Sequence, residues 1–255
     1  MNLVLHTTRF GLIAFKRNRK ARLLTLVFPV LLLVIFDGIF HGGHVEVSGV
    51  SINYGAFFVP SVIVFTLTVS NLAMLINTVV AQRELGILKR RRATPLPAWA
   101  LVVSQSLTVI AMAFASVLLL VVLAAVAFGT TPEANGILTL ILGAVFGSAA
   151  FCGLSYAIST FVDSADSAQP MIQLIMFPLF FISGVWVPTS ELPSWLNAIA
   201  SVFPVEHVAD LAHRAYVGVV PVGPVLLDVA ILVAWAAAGA WVAARRFQWY
   251  PSRKG

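Results

Sequence analysis

Apolar residues in this chain gather into long unbroken runs separated by short polar stretches. Six runs stand out: Leu23 to Phe40, Ala56 to Val80, Ala100 to Phe128, Ile137 to Phe161, Pro170 to Val187 and Val222 to Ala244. Each is near or above the roughly 18 to 20 residues that a helix needs to cross the hydrocarbon of a bilayer. Six spans put both termini on one side of the membrane. The pattern predicts an all-α membrane protein with six transmembrane helices, organised as one transmembrane domain over residues 1–255. No repeat of 20 to 50 residues and no inverted pair of broken helices interrupts it.

The segments between the runs differ in kind. In residues 1–22, Leu3, Phe10 and Ala14 fall on one side of a helix and Arg9, Lys16 and Lys20 on the other, which predicts an interfacial helix; a basic tail is the alternative. The following run is longer than a signal-peptide core and lacks a small-x-small cleavage site after it, so it is expected to remain as the first span. Residues 188–221 contain an apolar stretch, Leu192 to Ala200, confined by Pro193 and Pro204. It is too short to cross, so an outer re-entrant or interfacial hairpin is expected, packed against other helices, with Trp186 and Trp195 as headgroup-level anchors.

Composition agrees with burial in lipid. With 60% hydrophobic and 10% charged residues among 255, a water-soluble domain would lack the polar groups to cover its surface. Lysine and arginine number six in residues 1–22, five in the loop 82–97 and four in the C-terminal tail, whereas 41–55, 129–136 and 188–221 together hold only Arg214. The positive-inside rule therefore places both termini in the cytoplasm. A formal charge of +6 raises nucleic acid as a partner, but the cations sit at membrane edges without aromatic or glycine-rich interleaving, and no nucleic-acid binding is expected. The single cysteine, Cys152, lies inside an apolar run and excludes a disulfide framework within one chain.

Candidate chemistry is sparse. There is no G-x-x-x-x-G-K-[ST] loop to cradle phosphate, so the chain is not expected to hydrolyse ATP. His41 and His44 with Glu46, and His207 and His213 with Asp210, gather ionisable groups on the outer side, but neither spacing is a recognised metal-ligand pattern, and structural His–Asp contacts are the plainer reading. Asp37 and Asp228 fall near outer span ends, where an interfacial position is expected rather than a proton path. Thr66, Ser70 and Asn77 share one helical face, and Gln169, Gln173, Met176 and Phe180 another. These stripes are either interhelical hydrogen-bonding faces or a mixed polar and apolar substrate path. Gly143-x-x-x-Gly147 with Gly153 either permits close helix approach or is incidental in a glycine-rich span.

One loop carries more information: Arg83-Glu84-Leu85-Gly86, the basic run Lys89-Arg90-Arg91-Arg92, then Ala93-Thr94-Pro95-Leu96-Pro97. Two further stretches accompany it. Phe15-Lys16-Arg17-Asn18-Arg19 leads into Phe28-Pro29, and Ser183-Gly184-Val185-Trp186-Val187-Pro188 runs through Leu192-Pro193-Ser194-Trp195-Leu196 to Phe203-Pro204. In order and spacing they resemble the permease subunits of type-2 ABC exporters, most of all the daunorubicin-resistance and nodulation-type subgroup. Leu96-Pro97 departs from that pattern, where a small polar residue usually follows Thr-Pro.

The resemblance implies that 82–97 forms a cytoplasmic coupling helix, with Arg83, Glu84, Gly86 and Leu88 as the ATPase-coupling residues. Glu84 is expected to pair with Arg83 or Lys89 or to meet a cation on the ATPase, from a helix facing the cytoplasm rather than the core. It implies a dimer of two permeases, identical or paralogous, with two copies of a separate ATPase in the cell (inner or plasma) membrane. ATP and Mg would be held by that partner, with no cofactor on this chain. The cargo would be a lipophilic or amphiphilic drug, natural product or lipid, as in multidrug resistance, passing along Thr66, Ser70, Asn77, Gln169, Gln173 and Phe180. Alternatives are export of a polysaccharide or glycolipid, a lipid-modifying membrane enzyme built on His207, Asp210 and His213, and a silent scaffold.

Overall fold

The computed structural model of the protein describes residues 2–17, 19–40, 43–47, 49–92 and 98–246. Among them the chain is mostly helical, and five helices are long and apolar enough to cross a membrane: Tyr54–Glu84, Trp99–Phe128, Ile137–Ser159, Ala165–Ile182 and Val222–Arg245. The first predicted run lies in α2 (Arg19–Ile39), whose described apolar stretch, Val27–Phe36, is shorter than a span. Preceding it, α1 (Asn2–Arg17) lies along the start of α6 (Ala98–Phe128). Thr8 Oγ1 reaches the Ser104 carbonyl at 3.4 Å, and Gly11 faces Thr108 so closely that a Cβ there would sit 2.7 Å from its Oγ1. Leu5, Phe10 and Ile13 of α1 remain exposed, a strip of the kind that sinks into a headgroup boundary.

Between α2 and the next helix the chain makes a two-stranded antiparallel ribbon, β1 (His44–Val47) paired with β2 (Val50–Asn53), an addition to the helices that the sequence predicted alone. Gly49, at φ +80°, allows the turn, and Val45 anchors the ribbon on Phe57 and Phe58. His44 therefore lies on strand β1; His41 lies outside the described residues.

The second run is one long helix in three parts. α3 (Tyr54–Thr68) passes through a π-helical turn, Val69–Ala73, into α4 (Met74–Glu84). A wide turn disturbs the carbonyl ladder, and polar neighbours repair it here: Ser155 Oγ lies 3.0 Å from Asn71 O and 3.2 Å from Leu72 O, while Asn71 Nδ2 donates to Leu67 O and Ser148 Oγ. Gly86, at φ +67°, then turns the chain into the short helix α5 (Ile87–Arg92).

α7 (Ile137–Ser159) is the central post, with α10 (Pro204–Val217) and α11 (Val222–Arg246) packed along it. Gly143 and Gly147 receive α10, since a Cβ at Gly147 would lie 2.6 Å from Val208 Cγ2. Gly153 receives α11, where the same test gives 2.9 Å to the Ala236 carbonyl, and Gly239 answers it from the other side. The glycine spacing is thus an intrachain packing surface.

α8 (Ala165–Ile182) is displaced from the predicted run Pro170 to Val187 at both ends. It starts earlier because Ser164 and Ser167 form a reciprocal capping box, and it stops at Ile182 because Gly184 turns left-handed at φ +73° and Trp186 N–H returns to Phe180 O. The segment that follows, expected from the sequence to lie on the outer side, holds α9 (Ser194–Ala200) and α10. Trp195 is exposed, whereas Trp186, expected at headgroup level, packs against Phe36 and Phe65 with ring centroids 5.1 and 5.3 Å away.

Candidate functional site

A groove of about 600 Å³ lies between α2, the α3–α4 helix and the first turns of α8. Phe28 and Pro29 form one wall, and Thr66, Ser70, Asn77 and Gln169 contribute the polar groups on the others. Four of the six residues proposed from the sequence as a substrate path therefore meet in one place. The tertiary link is direct, because Asn77 Nδ2 donates to Gln169 Oε1 at 3.1 Å. The π-helical turn falls at the middle of the wall, and its Val69, Ser70 and Ala73 all face the groove.

Gln173 and Phe180 belong to the same stripe of α8 but not to the lining of the groove. The stripe descends into the protein as it goes: Gln169 and Gln173 are exposed, whereas Met176 and Phe180 are buried. Phe180 packs 5.0 Å from Phe65, centroid to centroid, and Phe65 packs 5.9 Å from Phe28. One end of the groove is thus stopped by aromatic rings, and the end near α5 carries Asn77, Ala81 and Gln169.

That end is tied to the segment proposed for coupling. Arg83 is 2% exposed, contrary to the expectation of a side chain in the cytoplasm. Its guanidinium donates from Nη1 to Ser159 O at 2.9 Å and from Nη2 to Val162 O, so it pins α4 to the turn between α7 and α8. Leu88, at 0% exposed, is likewise part of the packed interior. Glu84 is exposed, and its Oε2 accepts the backbone N–H of Ala165 at the start of α8 at 2.9 Å, while its charge also acts on the neighbouring Arg83. Lys89 and Arg90 present their side chains to the surface, while Thr94, Pro95 and Pro97 lie outside the described residues.

The ionisable residues of the segment 188–221 separate. His207 turns from α10 to Asp228 of α11, with Nδ1 2.9 Å from Oδ1, and approaches Glu206 at 3.3 Å. Asp228 is buried against α10 near the start of α11; no side chain is described for Asp37. Asp210 pairs with Arg214 at 2.7 Å, and His213 stands 3.0 Å from Ser61 Oγ. The expected His–Asp contact exists, but it joins His207 to Asp228, 21 residues away, rather than to Asp210. Cys152 is buried, with Sγ 3.9 Å from Asn71 Oδ1.

Asn71 was not among the residues selected from the sequence. It points away from the groove, is 0% exposed and bonds to α7 through Ser148. The available signal was a polar amide inside a span, read together with the serines at 148 and 155 in another.

Comparison with known proteins identifies the family of the chain. The family model described as ABC-2 type transporter matches residues 3–215. The chain is 26% identical over 196 residues to a protein named as a transport permease, ycf38, in Porphyra purpurea, covering 75% of this chain and 66% of that one. It is 22% identical over 166 residues to a protein named as a multidrug ABC transporter permease, YbhR, in Escherichia coli K12, covering 65% and 45%. The chain thus spans less than two thirds of the length of these curated relatives.

Proposed function

The chain belongs to the ABC-2 type transporter family, and on that premise we propose that it is the transmembrane subunit of an ATP-driven exporter, a transport subunit and not an enzyme. It works in the cell membrane with α2 as a sixth span and both termini cytoplasmic, a topology supported by the gathering of lysine and arginine in residues 1–22, 82–97 and the C-terminal tail. ATP and Mg are held by a separate ABC ATPase, two copies of which meet α5 and its flanks on a pair of permeases.

The observation that carries this reading is the groove. Hydroxyl and amide groups from Thr66, Ser70, Asn77 and Gln169 share its wall with Phe28, Phe65, Val69 and Met74. Mixed walls of this kind suit a lipophilic or amphiphilic cargo, which needs apolar area for affinity and a few polar groups for orientation. A second permease facing the groove would duplicate these groups about one axis. A further crevice of about 560 Å³ between α6, α7 and α11 is lined mainly by alanine, valine and isoleucine, and it suits lipid better than a path.

Single cysteines test the path. In a Cys152→Ser background, cysteines at Ser70 and Asn77 should react with a membrane-impermeant thiol reagent, and cargo should protect them. Cysteines at the buried Leu72 and Leu179 should stay unreactive. Equal labelling of both pairs, or labelling indifferent to cargo and nucleotide, would mean that the stripe is a packing face and that cargo passes elsewhere.

A further inference from the structure

At the end of the Tyr54–Glu84 helix remote from α5, a second cavity of about 390 Å³ is enclosed by the β-ribbon, the start of α3, the turn after α8, and α10. Two carboxyl groups reach its wall, Glu46 from β1 and Asp210 from α10, and among the described residues no lysine or arginine does. Asp210 Oδ2 accepts a hydrogen bond from Arg214 Nη2 at 2.7 Å, and a carboxylate has a second oxygen, Oδ1, that can accept from a ligand. His213 also lines the cavity, and burial pushes its pKa down to about 4, so it adds no positive charge at neutral pH. Phe57 supplies an aromatic ring, stacked on His213 at 4.7 Å.

Carboxyl groups alone would mark only a solvated rim. The further observation is Ser183, the residue that ends α8. It is 0% exposed, it lines the cavity, and its Oγ has no hydrogen-bond partner among the described residues. A buried hydroxyl left without a partner is unfavourable, and a donor placed in the cavity would complete it.

We propose that this cavity binds an organic ammonium ion, the cationic end of an amphiphilic cargo. Its N–H groups donate to the Glu46 and Asp210 carboxylates and to Ser183 Oγ, and its apolar part lies against Phe57. Aromatic faces attract such cations. More of them lie between the groove and this cavity: Phe65 at the groove packs against Trp186, which follows Gly184 of the cavity wall by two residues. The proposal deepens the export reading and rests on it, since it names the chemical class of the cargo.

The test is calorimetric titration of the full chain in lipid nanodiscs with benzylammonium, and with benzyl alcohol as the neutral probe of matching shape. Benzylammonium should bind at least tenfold more tightly than the alcohol. Glu46→Gln and Asp210→Asn should each weaken it about tenfold, and the exposed Glu46 keeps the test valid if loss of the Arg214 partner unfolds the second variant. Ser183→Ala should weaken binding several-fold without lowering the melting temperature, because the hydroxyl has no partner to lose. Equal binding of the two probes, unchanged affinity in Glu46→Gln, or displacement of benzylammonium by millimolar Ca²⁺ would overturn the assignment. No ATPase takes part in this measurement. If the assembled pair exports neutral compounds and ignores amines, the ammonium site falls and export stands; if benzylammonium binds as described but the partner ATPase never responds to cargo, export falls and the site stands.

Discussion

Glu84 Oε2 accepts the backbone N–H of Ala165 at 2.9 Å, so the last residue of the second long helix holds the first residue of α8. The first turn of a helix has N–H groups without intrahelical partners and a partial positive charge, and a carboxylate there contributes about 0.3 to 1 kcal/mol. The two groove walls, α4 and α8, therefore meet at a contact beside the segment proposed for coupling. Glu84→Ala should lower the melting temperature only slightly. It should reduce cargo-stimulated ATP hydrolysis at normal expression and normal ATPase capture, while Glu84→Gln, which can still accept the bond, should fall between. Normal stimulation in Glu84→Ala would remove this contact from energy transfer.

Arg83 acts differently because it is buried. Its guanidinium spans two carbonyls, Ser159 O and Val162 O, and removing it leaves both without that donor, at a cost of about 1 to 3 kcal/mol each where the group stays dry. Arg83→Met should reduce folded yield before any effect on transport can be read. Arg83→Lys should rescue only partly, since an ammonium on a single stem does not reproduce the forked geometry. Thermal unfolding of the detergent-solubilised chain measures both.

His207 and Asp228 make a buried pair in which Asp228 Oδ2 has no hydrogen-bond partner among the described residues. His207→Ala should therefore destabilise by about 3 to 5 kcal/mol, the usual cost of stranding a buried charge. His207→Leu with Asp228→Leu should recover much of the loss. If the single and double variants melt together, the pair is not what joins α10 to α11.

The same cluster sets a pH dependence. Burial opposes a charged His207, but the Asp228 hydrogen bond and Glu206 outweigh it and raise its pKa above 6.5. Burial, and next the Asp210 carboxylate, push Glu206 up from 4.5 to about 7. Both groups hold their proton more tightly folded than unfolded, so the stability they add is present at low pH and lost as pH rises. The Glu206 share goes between 4.5 and about 7, and the His207 share above 6.5. Melting temperature should fall from pH 5 to pH 8, with a flatter slope in Glu206→Gln; an identical slope in that variant would exclude Glu206 as its source.

Gly147 faces Val208 where a Cβ would lie 2.6 Å from Cγ2. Gly147→Val should push α10 off α7 and destabilise by about 1 to 3 kcal/mol, as overpacking does. Gly147→Val with Val208→Ala should restore part of it, and additive losses would deny the contact.

Composition alone marked where most long helices run, because crossing hydrocarbon requires an unbroken apolar stretch and that is a property of neighbouring residues. α6, α7 and α11 accordingly begin and end within a few residues of their apolar runs. Helical periodicity also brought Thr66, Ser70 and Asn77 to one face before any neighbour was known. It could not show that α8 would bring Gln169 to that face while turning Phe180 into the core, because periodicity defines a face and not what packs on it. Nor could it show that Arg83, Glu84 and Asp228 have partners 76, 81 and 21 residues away. Those pairings were decided by the tertiary structure: a buried charge such as Arg83 or Asp228 must find an opposite charge or a carbonyl, an exposed carboxylate such as Glu84 can accept a free N–H at a helix start, and which partner lies within reach depends on how the helices pack.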